Sequence, residues 1–87
     1  MAGWATQIQA HRYSADLERL PVTVRRLVQK KVDEMGTRLN AFSHSRLTGE
    51  TAFRLRVGDY RVLYSFDSAR GRIFLLSVGH RREIYKI

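Results

Sequence analysis

Residues 53–64 read Phe53-Arg54-Leu55-Arg56-Val57-Gly58-Asp59-Tyr60-Arg61-Val62-Leu63-Tyr64. Apolar and polar residues alternate on both sides of Gly58-Asp59, which predicts two antiparallel strands joined by a two-residue turn. Glycine in the first loop position favours a type II′ turn. Such a turn fixes the register of the hairpin, with Val57 opposite Tyr60, Arg56 opposite Arg61 and Leu55 opposite Val62.

This register gives the predicted hairpin one charged face and one apolar face, because side chains alternate in direction along a strand. Arg54, Arg56 and Arg61 share the charged face, which we call the arginine face. Like charges placed opposite each other repel by on the order of a few tenths of a kcal/mol per pair. Folding alone gives no reason for this arrangement, whereas an anionic partner does. The apolar face is predicted to consist of Phe53, Leu55, Val57, Tyr60, Val62 and Tyr64.

The composition indicates one small basic domain that spans residues 1–87. Its net charge of +8 arises from 16 Lys and Arg residues against 8 Asp and Glu residues, and thirteen of the sixteen are arginine. Because the planar guanidinium group binds phosphate in a bidentate manner, this bias favours a nucleic acid as partner. A basic surface that pairs with an acidic protein is the other interpretation, and an acidic protein could also mask a phosphate-binding face.

Other classes of protein are disfavoured by what the sequence lacks. The chain has no cysteine, which excludes disulfides and thiolate metal sites. His11, His44 and His80 show no metal-ligand spacing, so we expect neither a metal nor another cofactor. The longest apolar run, residues 73–76, is too short for a membrane span or a signal-peptide core. We therefore expect a cytoplasmic protein without membrane contact.

The first half of the chain is predicted to hold a strand and two helices. The strand is expected over Trp4–Ala10, and Ser14 is expected to be the N-cap of a short helix. Pro21 opens a longer amphipathic helix that should end near Gly36, and the residues after it, 37–50, are predicted to form a loop. The buried stripe of the longer helix is predicted to be Val24, Leu27, Val28, Val32 and Met35.

The second half is predicted to complete an α+β fold. Beyond the hairpin, Arg72–Gly79 is apolar on both sides and should form an interior strand. Glu83–Ile87 can add a short last strand. The N-terminal strand and the helical hairpin are then expected to pack on one face of an antiparallel sheet, with the arginine face left open.

The C-terminal tail adds further groups that suit RNA. Gly79-His80-Arg81-Arg82-Glu83-Ile84-Tyr85 brings together a histidine, two arginines and an aromatic ring. Arginine binds phosphate, an aromatic ring stacks on an unpaired base, and imidazole transfers a proton. Together with Arg46-Leu47-Thr48-Gly49 and the 53–64 hairpin, this tail resembles the RelE-type toxins of the RelE/ParE superfamily, over nearly the whole chain.

The resemblance implies a small RNase-like fold and an activity. Such toxins cut mRNA in the ribosomal A site without a metal, until a cognate antitoxin protein neutralises them. It also implies that Arg61, Arg81 and Tyr85 match functional positions of the family, and that Arg54 and Arg56 stand where RelE-type toxins have lysines.

The predicted catalytic roles follow from side-chain chemistry. We assign Arg54, Arg56 and Arg61 to phosphate binding and charge stabilisation, because a guanidinium group with a pKa above ~12 is a poor general base. Tyr85 is expected to stack on the nucleotide or orient it. His80 or Arg81 is expected to protonate the leaving group. Glu50 and Glu83 are the only nearby carboxylates that could serve as the base, and the sequence leaves that assignment open.

Further RNA contacts and two alternative functions complete the prediction. One alternative is a ParE-like toxin that inhibits DNA gyrase through protein contacts and has no RNase activity. The other is a catalytically weakened RelE homologue, in view of the replaced lysines. The additional RNA-binding residues are predicted to be Arg25, Arg26, Lys30, Lys31, Arg82 and Lys86.

Overall fold

The computed structural model describes residues 4–47 and 52–84 of the chain. The predicted last strand therefore lies partly outside the described residues, at 85–87. The described residues form two helices and five strands, whose order is β1 (Thr6–Gln9), α1 (His11–Glu18), α2 (Val22–Thr37), β2 (Ser45–Arg46), β3 (Phe53–Val57), β4 (Tyr60–Asp67) and β5 (Arg72–His80).

The five strands form a single sheet in the order β1-β5-β4-β3-β2. The predicted α+β class is confirmed, and so is the interior position of β5, which lies between β1 and β4. The sheet is mixed rather than wholly antiparallel, because β1 runs parallel to β5, from Thr6 opposite Arg72 to Gln9 opposite Leu75. β1 occupies the sheet edge beside β5, and the chain passes from it directly into α1 and then α2 on one face of the sheet.

The hairpin of β3 and β4 has the predicted register. Val57 lies opposite Tyr60, and Arg56 lies opposite Arg61. Gly58 has a φ of +59°, whereas Asp59 takes no positive φ. This is the backbone pattern of a type II′ turn, whose first loop position needs the conformational freedom of glycine.

A bulge interrupts the pairing of β4 with β5. Leu63 lies opposite Ser77 and Tyr64 lies opposite Leu75, so Leu76 is an extra residue on β5. A bulge of this kind reverses the direction in which the following side chains point. Leu75 before the bulge and Val78 after it are both buried with the helix-facing residues of β4.

The hydrophobic core lies between the helices and the apolar face of the sheet. On the face opposite Arg54 and Arg56, the alternation in β3 and β4 correctly predicts the burial of Leu55, Val57, Val62 and Tyr64, whereas Phe53 and Tyr60 are only partly buried. The helices contribute one aromatic residue and three aliphatic residues. The cluster comprises Tyr13, Val28, Val32, Met35, Leu39, Leu55, Val57, Val62, Tyr64, Ile73, Leu75 and Val78.

Two helix predictions were wrong in detail. Ser14 is not the N-cap of α1: the N-cap is Ala10, whose carbonyl oxygen accepts the Ser14 N–H at 3.1 Å. The helix begins earlier because the Ala10 N–H still donates to Leu75 of the sheet, and the chain turns into the helix directly from the strand. Leu27 is 44% exposed and does not belong to the core.

Neither helix within residues 4–47 and 52–84 is long and apolar enough to cross a membrane.

The loop and the tail also differ from the prediction. Residues 37–50 were predicted as a loop, but Ser45–Arg46 form β2, which pairs with β3 at the sheet edge. A two-residue polar edge strand carries no alternation that a sequence pattern could reveal. The tail after β5 forms a turn over residues 81–84, in which Ile84 N–H donates to His80 O at 2.9 Å, so Glu83 and Ile84 add no strand.

His44 closes one end of the core through two hydrogen bonds. Its Nε2 lies 2.9 Å from Leu39 O, and because a carbonyl oxygen only accepts, Nε2 carries the proton in the neutral ring. Its Nδ1 is then the acceptor for the Tyr64 hydroxyl. Burial raises the pKa of Tyr64 to about 12, so this hydroxyl keeps its proton and donates. The His44 ring also stacks on Phe66, with centroids 4.0 Å apart.

Tyr13 is the second fully buried tyrosine, and its hydroxyl, unlike that of Tyr64, has no hydrogen-bond partner among the described residues. Asp33 Oδ1, on the neighbouring helix, already accepts from the side-chain amides of Gln7 at 2.7 Å and Gln29 at 2.8 Å. Burial, with a smaller contribution from the Asp33 charge, raises the pKa of Tyr13 to about 12.

Equivalent substitutions at these tyrosines should therefore destabilise the fold at Tyr64 but not at Tyr13. Tyr64→Phe should lower the free energy of unfolding by about 1–2 kcal/mol, because His44 Nδ1 loses its donor inside the core. Tyr13→Phe should leave it unchanged or raise it by about 1 kcal/mol, because a buried unpaired hydroxyl is removed. Urea denaturation of the two variants measures the difference, and equal losses for both would contradict this account.

Candidate active site

Arg54 and Arg56 project from β3 on the side of the sheet away from the helices. Both side chains are exposed, and their register partners on β4 are Leu63 and Arg61. Within residues 4–47 and 52–84, neither guanidinium group forms an ion pair. Two neighbouring cations without a carboxylate partner can bind the oxygens of a phosphate in the bidentate manner that suits arginine.

Arg61 has the predicted position on this face but not the predicted exposure. Only 8% of the residue is accessible, although its register partner Arg56 is exposed. Its Nη1 donates to the carbonyl oxygens of Gly58 and Tyr60, each at 2.8 Å. On the arginine face, the side chains of β3 are therefore accessible to solvent, whereas Arg61 on β4 is not, because it binds the turn of its own hairpin.

Arg81 is held by the same turn. Its backbone N–H donates to Asp59 O at 2.8 Å, and its Nε lies 3.7 Å from the Asp59 carboxylate. The three consecutive carbonyls of Gly58, Asp59 and Tyr60 thus accept from groups of Arg61 and Arg81. Asp59 was not among the predicted site residues. Its position in the second place of the turn was visible, but the tail that it binds is distant in sequence.

His80 does not reach the arginine face. It lies opposite Tyr60 in the sheet, and the two rings are in edge contact with centroids 5.6 Å apart. Since Tyr60 alternates with Arg61, both rings are on the helix side. The Leu76 bulge is the physical reason: uninterrupted alternation from the buried Ile73 would put His80 beside the arginines, and the extra residue reverses its direction.

Glu83 is the one predicted carboxylate among the described residues, and it is not part of the arginine face. Glu83 lines a cleft beside α1 together with His80. Glu50, Tyr85 and Lys86 lie outside the described residues. Of the predicted catalytic residues, the structure thus brings together Arg54, Arg56, Arg61 and Arg81 around one hairpin.

The predicted RNA-binding residues of α2 lie in the helix layer, on the other side of the sheet from the arginine face. Arg26, Lys30 and Lys31 are exposed, and Lys31 Nζ is 4.0 Å from Glu34. Arg25 is partly buried, and its Nε has no hydrogen-bond partner among the described residues. Arg82 is exposed in the turn after β5. The cations of α2 and the arginine face therefore cannot contact one flat surface simultaneously.

Comparison with known proteins adds a family match. Residues 8–85 match a family model described as the ParE toxin of the type II toxin–antitoxin system parDE. No protein of curated function matches the sequence.

Solved toxin structures share the fold. The RelBE2 toxin–antitoxin complex of Mycobacterium tuberculosis contains a chain with 24% identity and a TM-score of 0.77, and the match covers 95% of this chain and 98% of that one. The isolated RelE toxin of E. coli is 19% identical with a TM-score of 0.74, and coverage is 87% and 83%. A chain of the intact E. coli RelBE complex is 26% identical with a TM-score of 0.68, and coverage is 87% and 95%.

The different surroundings of Arg56 and Arg61 lead to a stability prediction. Arg61→Met should lower the free energy of unfolding by about 1–3 kcal/mol, because two turn carbonyls lose their charged donor. Arg56→Met removes the same charge at the directly opposite position and should change stability by less than about 0.5 kcal/mol. Thermal or urea unfolding compares the two, and an equal effect would show that the Arg61 contacts do not hold the turn.

Proposed function

The chain belongs to the ParE toxin family of type II toxin–antitoxin systems, within the RelE/ParE superfamily, and from this premise we propose that it is a ribosome-dependent mRNA endonuclease. The arginine face is the observation that carries the proposal. Arg54 and Arg56 form a cationic, exposed sheet surface for which the fold has no internal use. A phosphodiester backbone is the partner that satisfies them.

In the proposed reaction, the 2′-hydroxyl of one nucleotide attacks the adjacent phosphorus. The P–O5′ bond breaks, and the products are a 2′,3′-cyclic phosphate and a 5′-hydroxyl. Arg54 and Arg56 bind the phosphate and stabilise the negative charge that develops on its oxygens. Because they stay protonated, they do not take the 2′-hydroxyl proton.

Arg81 and Arg61 have different parts in this proposal. Arg81 is anchored at the turn through its backbone N–H and has a half-exposed side chain, and we assign it to the leaving oxygen. Arg61 keeps the turn in shape and adds positive charge beneath the phosphate. Tyr85 remains our candidate for stacking on a base. Glu50 and Glu83 remain unassigned, and so does the general base.

Membership of this toxin family supports the proposal of an antitoxin as a protein partner. The structures that the chain resembles include toxin–antitoxin complexes from Mycobacterium tuberculosis and E. coli. We propose a cognate antitoxin that neutralises this chain, with acidic character to complement the net charge of +8. mRNA on the ribosome is the proposed target, and the cytoplasm is the proposed compartment.

A second candidate function is inhibition of DNA gyrase. It is favoured by the family model itself, which describes ParE toxins and matches residues 8–85. In that case the arginine face binds protein and no RNA is cut. A weakened RelE-type nuclease is the third possibility, because Arg54 and Arg56 occupy positions where RelE-type toxins have lysines.

Mapping of mRNA 5′ ends on translating ribosomes after expression of the chain tests the proposal. New 5′-hydroxyl ends are expected with the wild type. Arg54→Gln combined with Arg56→Gln should reduce cleavage by at least ~10²-fold, the scale of losing charge-stabilising groups. Arg72→Gln, an exposed arginine at the opposite end of β5, should cleave like the wild type.

Growth arrest with DNA damage and without new mRNA ends would refute the nuclease and support gyrase inhibition. Neither arrest nor cleavage would indicate a weakened homologue. Cleavage that persists in the Arg54/Arg56 variant would show that the arginine face is not the site.

A further inference from the structure

A cleft of about 510 Å³ lies on the helix side of the sheet. It is bounded by α1, the start of α2, the beginning of β4 and the end of β5 with its following turn. This volume is within the range of sites that bind small organic ligands. The function proposed above does not use the cleft.

Two aromatic rings form one wall. Tyr60 and His80 are both partly buried, and their rings meet edge to face at 5.6 Å and 77°. His80 Nδ1 accepts the backbone N–H of Arg82 at 3.2 Å, which leaves Nε2 as the proton donor of the neutral imidazole. The wall therefore offers a π surface together with a hydrogen-bond donor.

The opposite side of the cleft carries two arginines: Arg12, which lies in α1, and Arg19, which directly follows it. Arg12 is 60% exposed and lies 3.7 Å from Asp16, whose carboxylate also accepts the Val78 backbone N–H at 3.3 Å. Arg19 is exposed and forms no ion pair within residues 4–47 and 52–84. The carboxylate of Asp16 is thus engaged by the fold. Glu83 adds an exposed carboxylate near His80, so Arg12 and Arg19 are the groups of the cleft lining that can bind an anion, and they lie on the α1 side.

The cleft and the arginine face lie back to back at the same end of the sheet. Gly79 lines the cleft and is the register partner of Arg61. His80 on the cleft wall is followed directly by Arg81, which Asp59 holds at the hairpin turn. A flexible polymer that leaves the arginine face around the Gly58–Asp59 turn therefore meets the cleft next.

We propose that this cleft binds one nucleotide of a single-stranded RNA whose neighbouring segment lies on the arginine face. A phosphate lies between Arg12 and Arg19, and the base lies against Tyr60 and His80. Base–aromatic contact with flanking arginines is the usual combination for single strands and is tolerant of sequence. That the ligand is RNA rests on the proposed function. The presence of the cleft and of its aromatic and charged groups does not depend on that function.

Binding of a fluorescent 2′-O-methyl hexanucleotide to the full chain tests this inference without cleavage, because the attacking hydroxyl is blocked. Arg12→Gln combined with Arg19→Gln should weaken binding by tenfold or more. The slope of log K against log salt should also fall, by about 0.7 for each phosphate contact that is lost. Two control variants lie far from the cleft: the single variant Arg72→Gln, and the double variant Arg70→Gln with Arg72→Gln, which loses as much charge as the cleft variant. The affinity of each control for the hexanucleotide should stay within about twofold of the wild-type value.

A second measurement uses the unmodified protein, so it does not depend on how the variants fold. When the hexanucleotide is added, the amide chemical shifts of Arg19, Tyr60 and His80 should change, as should those of the arginine face. Shifts confined to the arginine face would overturn the proposal. Equal affinity of the cleft variant and the charge-matched control would do so as well.

The outcomes separate this inference from the proposed function. If ribosomal mRNA is cut but the cleft variant binds like its control, the cleft proposal fails and the nuclease stands. If the cleft binds the oligonucleotide and no mRNA is cut, the nuclease fails and the cleft remains an RNA-binding site. An acidic peptide that shifts the cleft amides where the oligonucleotide does not would assign the cleft to a protein partner and overturn the proposal.

Discussion

The turn at Gly58–Asp59 is the contact on which the candidate site depends. Its left-handed glycine sets the register of β3 and β4, and this register puts Arg54, Arg56 and Arg61 on one face. Its carbonyl oxygens then accept from Arg61 and from the backbone of Arg81. One short turn therefore connects the hairpin with the tail at Arg81, which is distant in sequence, and local backbone geometry controls the positions of four cations.

The two faces of the sheet are stabilised in different ways. On the helix side, burial of apolar side chains stabilises the fold, and the polar groups there are mostly paired, as the His44–Tyr64 contact shows. On the other side, Arg61 is almost buried and its charge is compensated by backbone dipoles, whereas Arg54 and Arg56 are left to solvent. Because the exposed pair on this face has, among the described residues, no contact that stabilises the fold, it is the pair to which we assign direct binding of the reacting phosphate.

The sequence was sufficient where structure is determined locally. The hairpin register follows from Gly58 and strict alternation, and the core residues of β3 and β4 follow from the register. Pairing between distant segments was not accessible. The parallel pairing of β1 depends on contacts with β5, and β2 is too short to show a pattern. The candidate site shows the same division: Arg54 and Arg56 were placed correctly, but the Leu76 bulge turned His80 away, and Arg61 folded back onto carbonyls that no sequence motif reveals.

The central claim is that the geometry of the Gly58 turn supports RNA cleavage. Gly71 provides a matched control, since it also has a positive φ (+63°) and open space where a Cβ would lie, but its turn holds none of the four arginines of the proposed site. Gly58→Ala and Gly71→Ala should each cost about 1–2 kcal/mol of stability through backbone strain. Cleavage of mRNA on ribosomes, measured where both variants are folded, should fall at least tenfold for Gly58→Ala and stay near the wild-type level for Gly71→Ala. Equal cleavage by the two variants would contradict the account.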